Sequence, residues 1–187
     1  MLFLYAEVTD RLARADWLLT TLARVIFAAT LALYFWVSGL TKLGDGLFGF
    51  LLPSVGAYAQ IFPKVMEAVT YDVTQLTIWH WLVVVAGTWA EFILPALIIL
   101  GLFTRLASIG MIGFIIVQSL TDIYAHGAGE DAQTLGAWFD RFPDSVILDQ
   151  RAFWVFLLLV LVIKGAGPLS LDRAIGRLAP DYDTSKA

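Results

Sequence analysis

The 187-residue sequence contains no cysteine and only two histidines. Without cysteine the chain forms no disulfide, performs no thiol chemistry and holds no iron–sulfur cluster through its own side chains. The two histidines and an aspartate could together bind one ion, but no HxxxH-type spacing supports such a site, so we expect no metal. Any part in redox chemistry therefore depends on a bound cofactor or on a partner.

Charge is also scarce. Only 15% of the residues are charged, and 12 Lys and Arg against 16 Asp and Glu leave a formal net charge of -4. Nucleic-acid binding needs concentrated basic residues, so we expect no nucleic-acid partner. What the chain has in excess is apolar surface, because 59% of its residues are hydrophobic against roughly 45–50% in soluble domains. The expected surroundings are a lipid bilayer.

Four segments are long and apolar enough for membrane spans, each of which needs about 20 residues. We predict an all-α integral membrane protein, a four-helix bundle with spans at about 20–43, 76–102, 106–124 and 152–169. A single domain would cover residues 20–175, between a cytoplasmic N-terminal segment, 1–19, and a cytoplasmic tail, 176–187. Residues 44–75 contain Pro53 and Pro63 and are too broken to span. They are expected as a long extracytoplasmic loop between helices 1 and 2, with one or two short helices in the interface or dipping back into the protein.

The distribution of Lys and Arg predicts the orientation. One side of the predicted bundle holds both termini and the short turn between the second and third spans. It carries eight basic residues: Arg11, Arg14, Arg24, Arg105, Lys164, Arg173, Arg177 and Lys186. The other side carries four, namely Lys42, Lys64, Arg141 and Arg151. Both termini should therefore face the cytoplasm.

A charge inside a membrane span costs about 2.5–3.5 kcal/mol on insertion scales, so Glu91 and Arg24 each suggest a partner or a function. Glu91 lies in the second span and Arg24 in the first, at depths that differ by roughly 8–10 Å. One interpretation is an Arg24–Glu91 ion pair that locks two helices, or a protonated Glu91 bonded to a neighbour. The other is a proton-handling carboxylate beside a quinone or a transport path. Glu91 and Arg24 are the candidate catalytic residues.

A second polar set is expected near the other end of the bundle. It consists of Lys42, His80, Gln118, Asp122 and His126. One interpretation is a solvated rim with a Lys42–Asp122 ion pair. The alternative is a pocket beneath the first loop, in which these side chains hydrogen-bond a quinone head group or exchange protons.

Several short stretches occur together in a familiar order. They are Arg24, SGLTK at 38–42, Glu91 followed by GLFTR at 101–105, DQR at 149–151, and KGAGPLSLD at 164–172. With them the chain resembles the DoxX family over roughly residues 22–177, although the first twenty residues and the length of the 125–150 loop depart from it. The resemblance implies a small four-helix protein of the bacterial inner membrane.

Some members resemble the quinone-reducing subunit of thiosulfate:quinone oxidoreductase, and others are linked to oxidative-stress complexes. From this resemblance we expect a subunit or partner of a membrane redox complex that interacts with quinone, at most an accessory subunit of a quinone-linked oxidoreductase. Two alternatives stay open at this point. One is a non-catalytic membrane scaffold or assembly protein, and the other is a transporter of a small molecule or metal.

Overall fold

The computed structural model describes residues 1–178, apart from the side chains of Leu2, Ala132 and Leu178. The predicted tail at 176–187 therefore lies outside the described residues from 179 onward. Within residues 1–178 every regular element is helical. Four of these helices have the length and composition to cross a membrane, which confirms the predicted number of spans.

The four spans are long helices close to the predicted segments. Span 1 is Asp16–Lys42, with a π-helical turn at Ala28–Ala32, span 2 is Ile78–Leu100, span 3 is Thr104–Tyr124 and span 4 is Val146–Lys164. Span 4 differs most from its prediction, because it begins earlier and ends at Lys164 instead of residue 169. Gly165 and Gly167 both have positive φ angles, of 81° and 76°, and such a backbone cannot continue a right-handed helix.

Shorter helices flank and join the spans. An N-terminal helix, Leu2–Ala13, precedes span 1, and a terminal helix, Leu171–Leu178, follows span 4. Two more, Val55–Ile61 and Pro63–Ala68, lie between spans 1 and 2, and we call them the cap helices. A short helix, Ala132–Leu135, lies between spans 3 and 4.

The spans form a closed ring in which each contacts two others. Span 1 packs against spans 2 and 4, and span 3 packs against the same two. Buried apolar side chains fill the ring between them, and on span 1 they recur every four residues, at Ala23, Phe27, Leu31 and Phe35. This spacing keeps one face of the helix turned inward.

We call the two ends of the bundle the Arg24 end and the Lys42 end. The Arg24 end comprises Asp16, Gly101–Arg105 and Lys164–Asp172, and the Lys42 end comprises Lys42, Ile78, Tyr124 and Val146. Span 1 starts and span 4 finishes at the Arg24 end, where Lys164 Nζ lies 3.0 Å from Asp16 Oδ2.

The turn between spans 2 and 3 is completed by the terminal helix. Gly101 ends span 2 in the left-handed conformation, and Phe103 at the start of span 3 also has a positive φ angle. Span 3 has no side-chain cap of its own. Instead, the Asp172 carboxylate accepts hydrogen bonds from Phe103 N at 2.7 Å and Thr104 N at 3.0 Å. A residue 68 positions away thus caps the positive end of span 3.

The connection between spans 1 and 2 is not an open loop. The two cap helices bury Ala57, Tyr58 and Met66 against Val84 of span 2, which forms a small second core. Two hydrogen bonds tie the cap to the end of span 3. Lys64 Nζ donates to Tyr124 O at 2.8 Å, and His126 Nε2 donates to Gln60 O at 2.8 Å. Residues 44–75 thus contain two short helices that dip back onto the bundle, one of the arrangements expected for them, and their apolar side chains bury surface there instead of forming an open loop.

We predict that Asp172→Ala lowers the free energy of unfolding by about 1–2 kcal/mol, since it removes both bonds to the first turn of span 3. Thermal unfolding in detergent micelles measures the effect. Asp144→Ala is the matched control, because it removes the same charge from an exposed loop position. Equal unfolding temperatures for the two variants would show that the cap contributes nothing.

Candidate functional site

A buried ion pair joins spans 1 and 2. Lys42 Nζ lies 2.9 Å from Glu91 Oε1 and 3.0 Å from Glu91 Oε2, and the two residues are only 6% and 3% exposed. Ser38 lies one turn before Lys42 and bonds to both, with its Oγ 2.7 Å from Lys42 Nζ and 3.0 Å from Glu91 Oε1. All three side chains are thereby held in one network.

The predicted Arg24–Glu91 pair is wrong. The Arg24 guanidinium points to the Arg24 end, where it donates to Ile98 O at 3.0 Å and to Ala166 O at 3.1 Å, and also to the carbonyls of Ile99 and Leu169. Helix ends leave such carbonyls without partners, and they carry partial negative charge. Ile98 lies about two turns, roughly 10 Å, beyond Glu91. The arginine therefore binds backbone carbonyls at the end of span 2 and not the carboxylate of Glu91 nearer its centre.

A second ion pair joins spans 3 and 4. Arg151 Nη2 lies 2.7 Å from Asp122 Oδ2, and Arg151 Nη1 donates to Ser119 Oγ at 2.9 Å. The expected Lys42–Asp122 pair is therefore wrong as well, because each of its members has a closer partner. The sequence interpretation missed Arg151 as a site residue, although the DQR stretch contains it. Span 4 begins six residues earlier than predicted, and this places Arg151 inside the bundle, where it is only 4% exposed.

Both ion pairs lie on the wall of one cavity. Its volume is about 710 Å³, and it lies among spans 1, 2 and 3 beneath the first cap helix. Its polar wall includes Lys42, Glu91, Gln118, Asp122, His126 and Arg151. Apolar side chains form most of the remainder, among them Ile61, Leu94 and Phe114.

Two residues of the wall, Gln118 and Arg151, each have one buried polar atom without a hydrogen-bond partner within the described residues. These atoms are Gln118 Oε1 and Arg151 Nε. The other end of the Gln118 amide donates to Tyr34 Oη at 2.8 Å. Buried polar atoms are costly when they lack a partner, so these two side chains have unused hydrogen-bonding capacity.

Of the five residues of the predicted polar cluster, four line the cavity and one does not. Lys42, Gln118, Asp122 and His126 are brought together as the spacing indicated. His80 instead accepts a hydrogen bond from Thr77 N at 3.2 Å and packs against Phe62, with 4.9 Å between the ring centroids. It completes a capping box at the start of span 2, and its inclusion in the pocket is corrected. Within residues 1–178, no group of three or more His, Asp and Glu side chains is placed to hold a metal ion.

We predict that Lys42→Met destabilises the protein by about 3–5 kcal/mol, because it leaves a buried carboxylate without its partner. The double variant Lys42→Met/Glu91→Leu should recover most of this loss, since both charges are removed together. Unfolding in detergent micelles measures each variant. The matched cycle with Arg24→Met and Glu91→Leu should show no coupling. A coupling of Glu91 to Arg24 instead of Lys42 would contradict the assignment.

Comparison with known proteins relates the chain to one family. A family model described as DoxX matches residues 19–121, more than half of the chain. No curated protein and no solved structure matches. The matched region contains nearly all of spans 1 to 3 and includes Arg24, Lys42 and Glu91, but it stops before Asp122 and Arg151. With its four apolar helices, the chain is a multi-pass membrane protein and belongs to the DoxX family.

Proposed function

We propose that this protein binds the ring of a quinone in the cavity among spans 1, 2 and 3, and that it serves a redox complex of the bacterial inner membrane as a subunit or partner. The observation that carries the proposal is the cavity itself, a largely apolar space of about 710 Å³ with two ion pairs on its wall. Sites for small molecules usually occupy about 300–1,000 Å³ and combine apolar walls with a few placed polar groups.

The polar wall suits a ring that carries oxygen on both sides. The Arg151 guanidinium is a hydrogen-bond donor for a quinone carbonyl. The Gln118 amide can accept from the hydroxyl of the reduced form. Lys42 and Glu91 add an amino group and a carboxyl group in direct contact, side chains of the kind that transfer protons to and from ligands. Because the chain has no cysteine, a partner protein would supply the electrons.

The transporter alternative has less support. A transport path must continue from the cavity to the Arg24 end of the bundle. Between the two lie Phe27, Ile98 and Met111, each 0% exposed in the packed core. Arg24, the other candidate catalytic residue, binds carbonyls at the opposite end of the bundle and does not line the cavity.

We expect Gln118→Leu to weaken quinone binding by about five- to tenfold, the loss of roughly one hydrogen bond. Quenching of tryptophan fluorescence by decylubiquinone, with the protein in nanodiscs, measures the affinity. Gln133→Leu is the matched control, since Gln133 is exposed and lies outside the cavity. If decylubiquinone does not bind the wild-type protein, or binds both variants equally well, the quinone proposal is refuted and the scaffold role is favoured.

The proposed orientation places both termini in the cytoplasm, as the basic residues indicate. A chain without cysteine allows a clean test, because every label reports an introduced residue. In intact cells a membrane-impermeant maleimide should label Gln133→Cys, between spans 3 and 4, and should leave Glu7→Cys unlabelled until the cells are lysed. The reverse pattern would place the termini outside.

A further inference from the structure

The geometry points to a lateral opening of the cavity into the bilayer, between spans 2 and 3. Through it a membrane-resident amphiphile, with a polar ring or head and a long apolar chain, would enter from the lipid and leave its chain there. This inference shares one premise with the proposed function, namely that a ligand occupies the cavity. It further states that the ligand enters from the lipid and that it has a polar head and an apolar chain.

The exposed apolar residues of the cavity wall mark the opening. Val83 and Ala86 lie on span 2, and Gly113 and Val117 lie on span 3. All four are exposed, and Val117 is 63% exposed. Deep in the cavity the wall is different, since Glu91 and Arg151 are buried there. One opening is thus lined by small or aliphatic groups, while the charges lie inside.

The opening lies at the depth of the hydrocarbon. Gly113 is eleven residues before Tyr124, the last residue of span 3, which puts it about 16 Å from the Lys42 end of that helix. Ala86 is eight residues after Ile78, about 12 Å from the start of span 2. Both distances fall within a hydrocarbon core of about 30 Å. Whatever passes between these residues therefore comes from lipid and not from water.

Open space lies next to a close contact between spans 2 and 3. At Gly110 the helices are tightly packed, since a Cβ atom there would lie 3.1 Å from Leu94 Cδ2. At Gly113, which lines the cavity three residues further on, a Cβ atom would meet nothing within 4 Å. The wall at Gly113 is therefore unfilled by neighbouring side chains.

The Lys42 end of the cavity is only partly covered, and its exposed wall residues, Gln60 and His126, are polar. At the Lys42 end the first cap helix places Gln60 and Ile61 on the wall, and the bond from His126 to Gln60 O holds it to the end of span 3. Ser54 N also donates to Lys42 O at 3.0 Å, which ties the start of the cap to span 1. Towards the Arg24 end the packed core fills the ring.

These features together define a ligand class. The head must form hydrogen bonds, because Lys42, Glu91, Gln118, Asp122 and Arg151 all line the cavity. The chain must be apolar, because it would pass Val83 and Val117 into hydrocarbon. Quinones with isoprenoid chains and phospholipids both have this form, and the experiment separates them.

Gly113→Trp should block the path of the apolar chain between spans 2 and 3, while a small head without a chain can still reach the cavity past Gln60 and His126. The empty space around Gly113 means that the substitution should not disturb folding. Val37→Trp is the matched control, because Val37 is 56% exposed on span 1 and lines no part of this cavity. Decylubiquinone has an apolar chain and ubiquinone-0 has none. In Gly113→Trp we expect decylubiquinone to bind about tenfold more weakly and ubiquinone-0 to bind as in the wild type. Val37→Trp should bind both as the wild type does.

Equal effects on the two quinones, or no effect on either, would refute the lateral opening. If the wild-type protein binds neither quinone, the proposed function fails, and native mass spectrometry then tests the opening by itself. Purified wild-type protein should retain a chain-bearing molecule, whose mass identifies a phospholipid or another amphiphile, and Gly113→Trp should lose it. Identical spectra for the wild type and Gly113→Trp would refute the opening even in that case.

Discussion

The hydrocarbon of a bilayer offers no hydrogen-bond partner, and this constraint explains where the buried charges of the chain lie. Each of them must find its partner within the protein. Arg24 finds carbonyls at the ends of helices, Lys42 finds Glu91 and Arg151 finds Asp122. Each contact joins two parts of the chain that are distant in sequence, so the same contacts that satisfy the charges also hold the ring of spans together.

The two ends of the bundle serve different purposes. Three residues form one compact junction at the Arg24 end. Arg24 donates to the carbonyl of Ile98, Gly101 ends span 2, and Asp172 accepts from the backbone at the start of span 3. At the Lys42 end the ion pairs are spread around a cavity, and some of their hydrogen-bonding capacity is unused. The first arrangement accounts for a stable frame, and the second accounts for a place where a ligand can bind.

Residues that were grouped by their place in the sequence were often paired incorrectly. The spans were predictable because about twenty apolar residues in a row have one physical explanation. Similar depth was a weaker guide, since it brought Lys42, Gln118, Asp122 and His126 to one cavity but paired Lys42 with Asp122. Depth specifies a layer of the bundle, and the partner within a layer depends on how each helix is rotated and which neighbours it has.

The sequence by itself determined the helical class, the four spans and the family, because these follow from apolar length and from stretches that lie together along the chain. Only the tertiary structure decided that Glu91 meets Lys42, that Asp172 caps span 3, that His80 lies apart, and that the connection between spans 1 and 2 folds over a cavity. Those contacts depend on the rotation and separation of helices. Both are set by packing among residues far apart in the chain, and no local pattern encodes them.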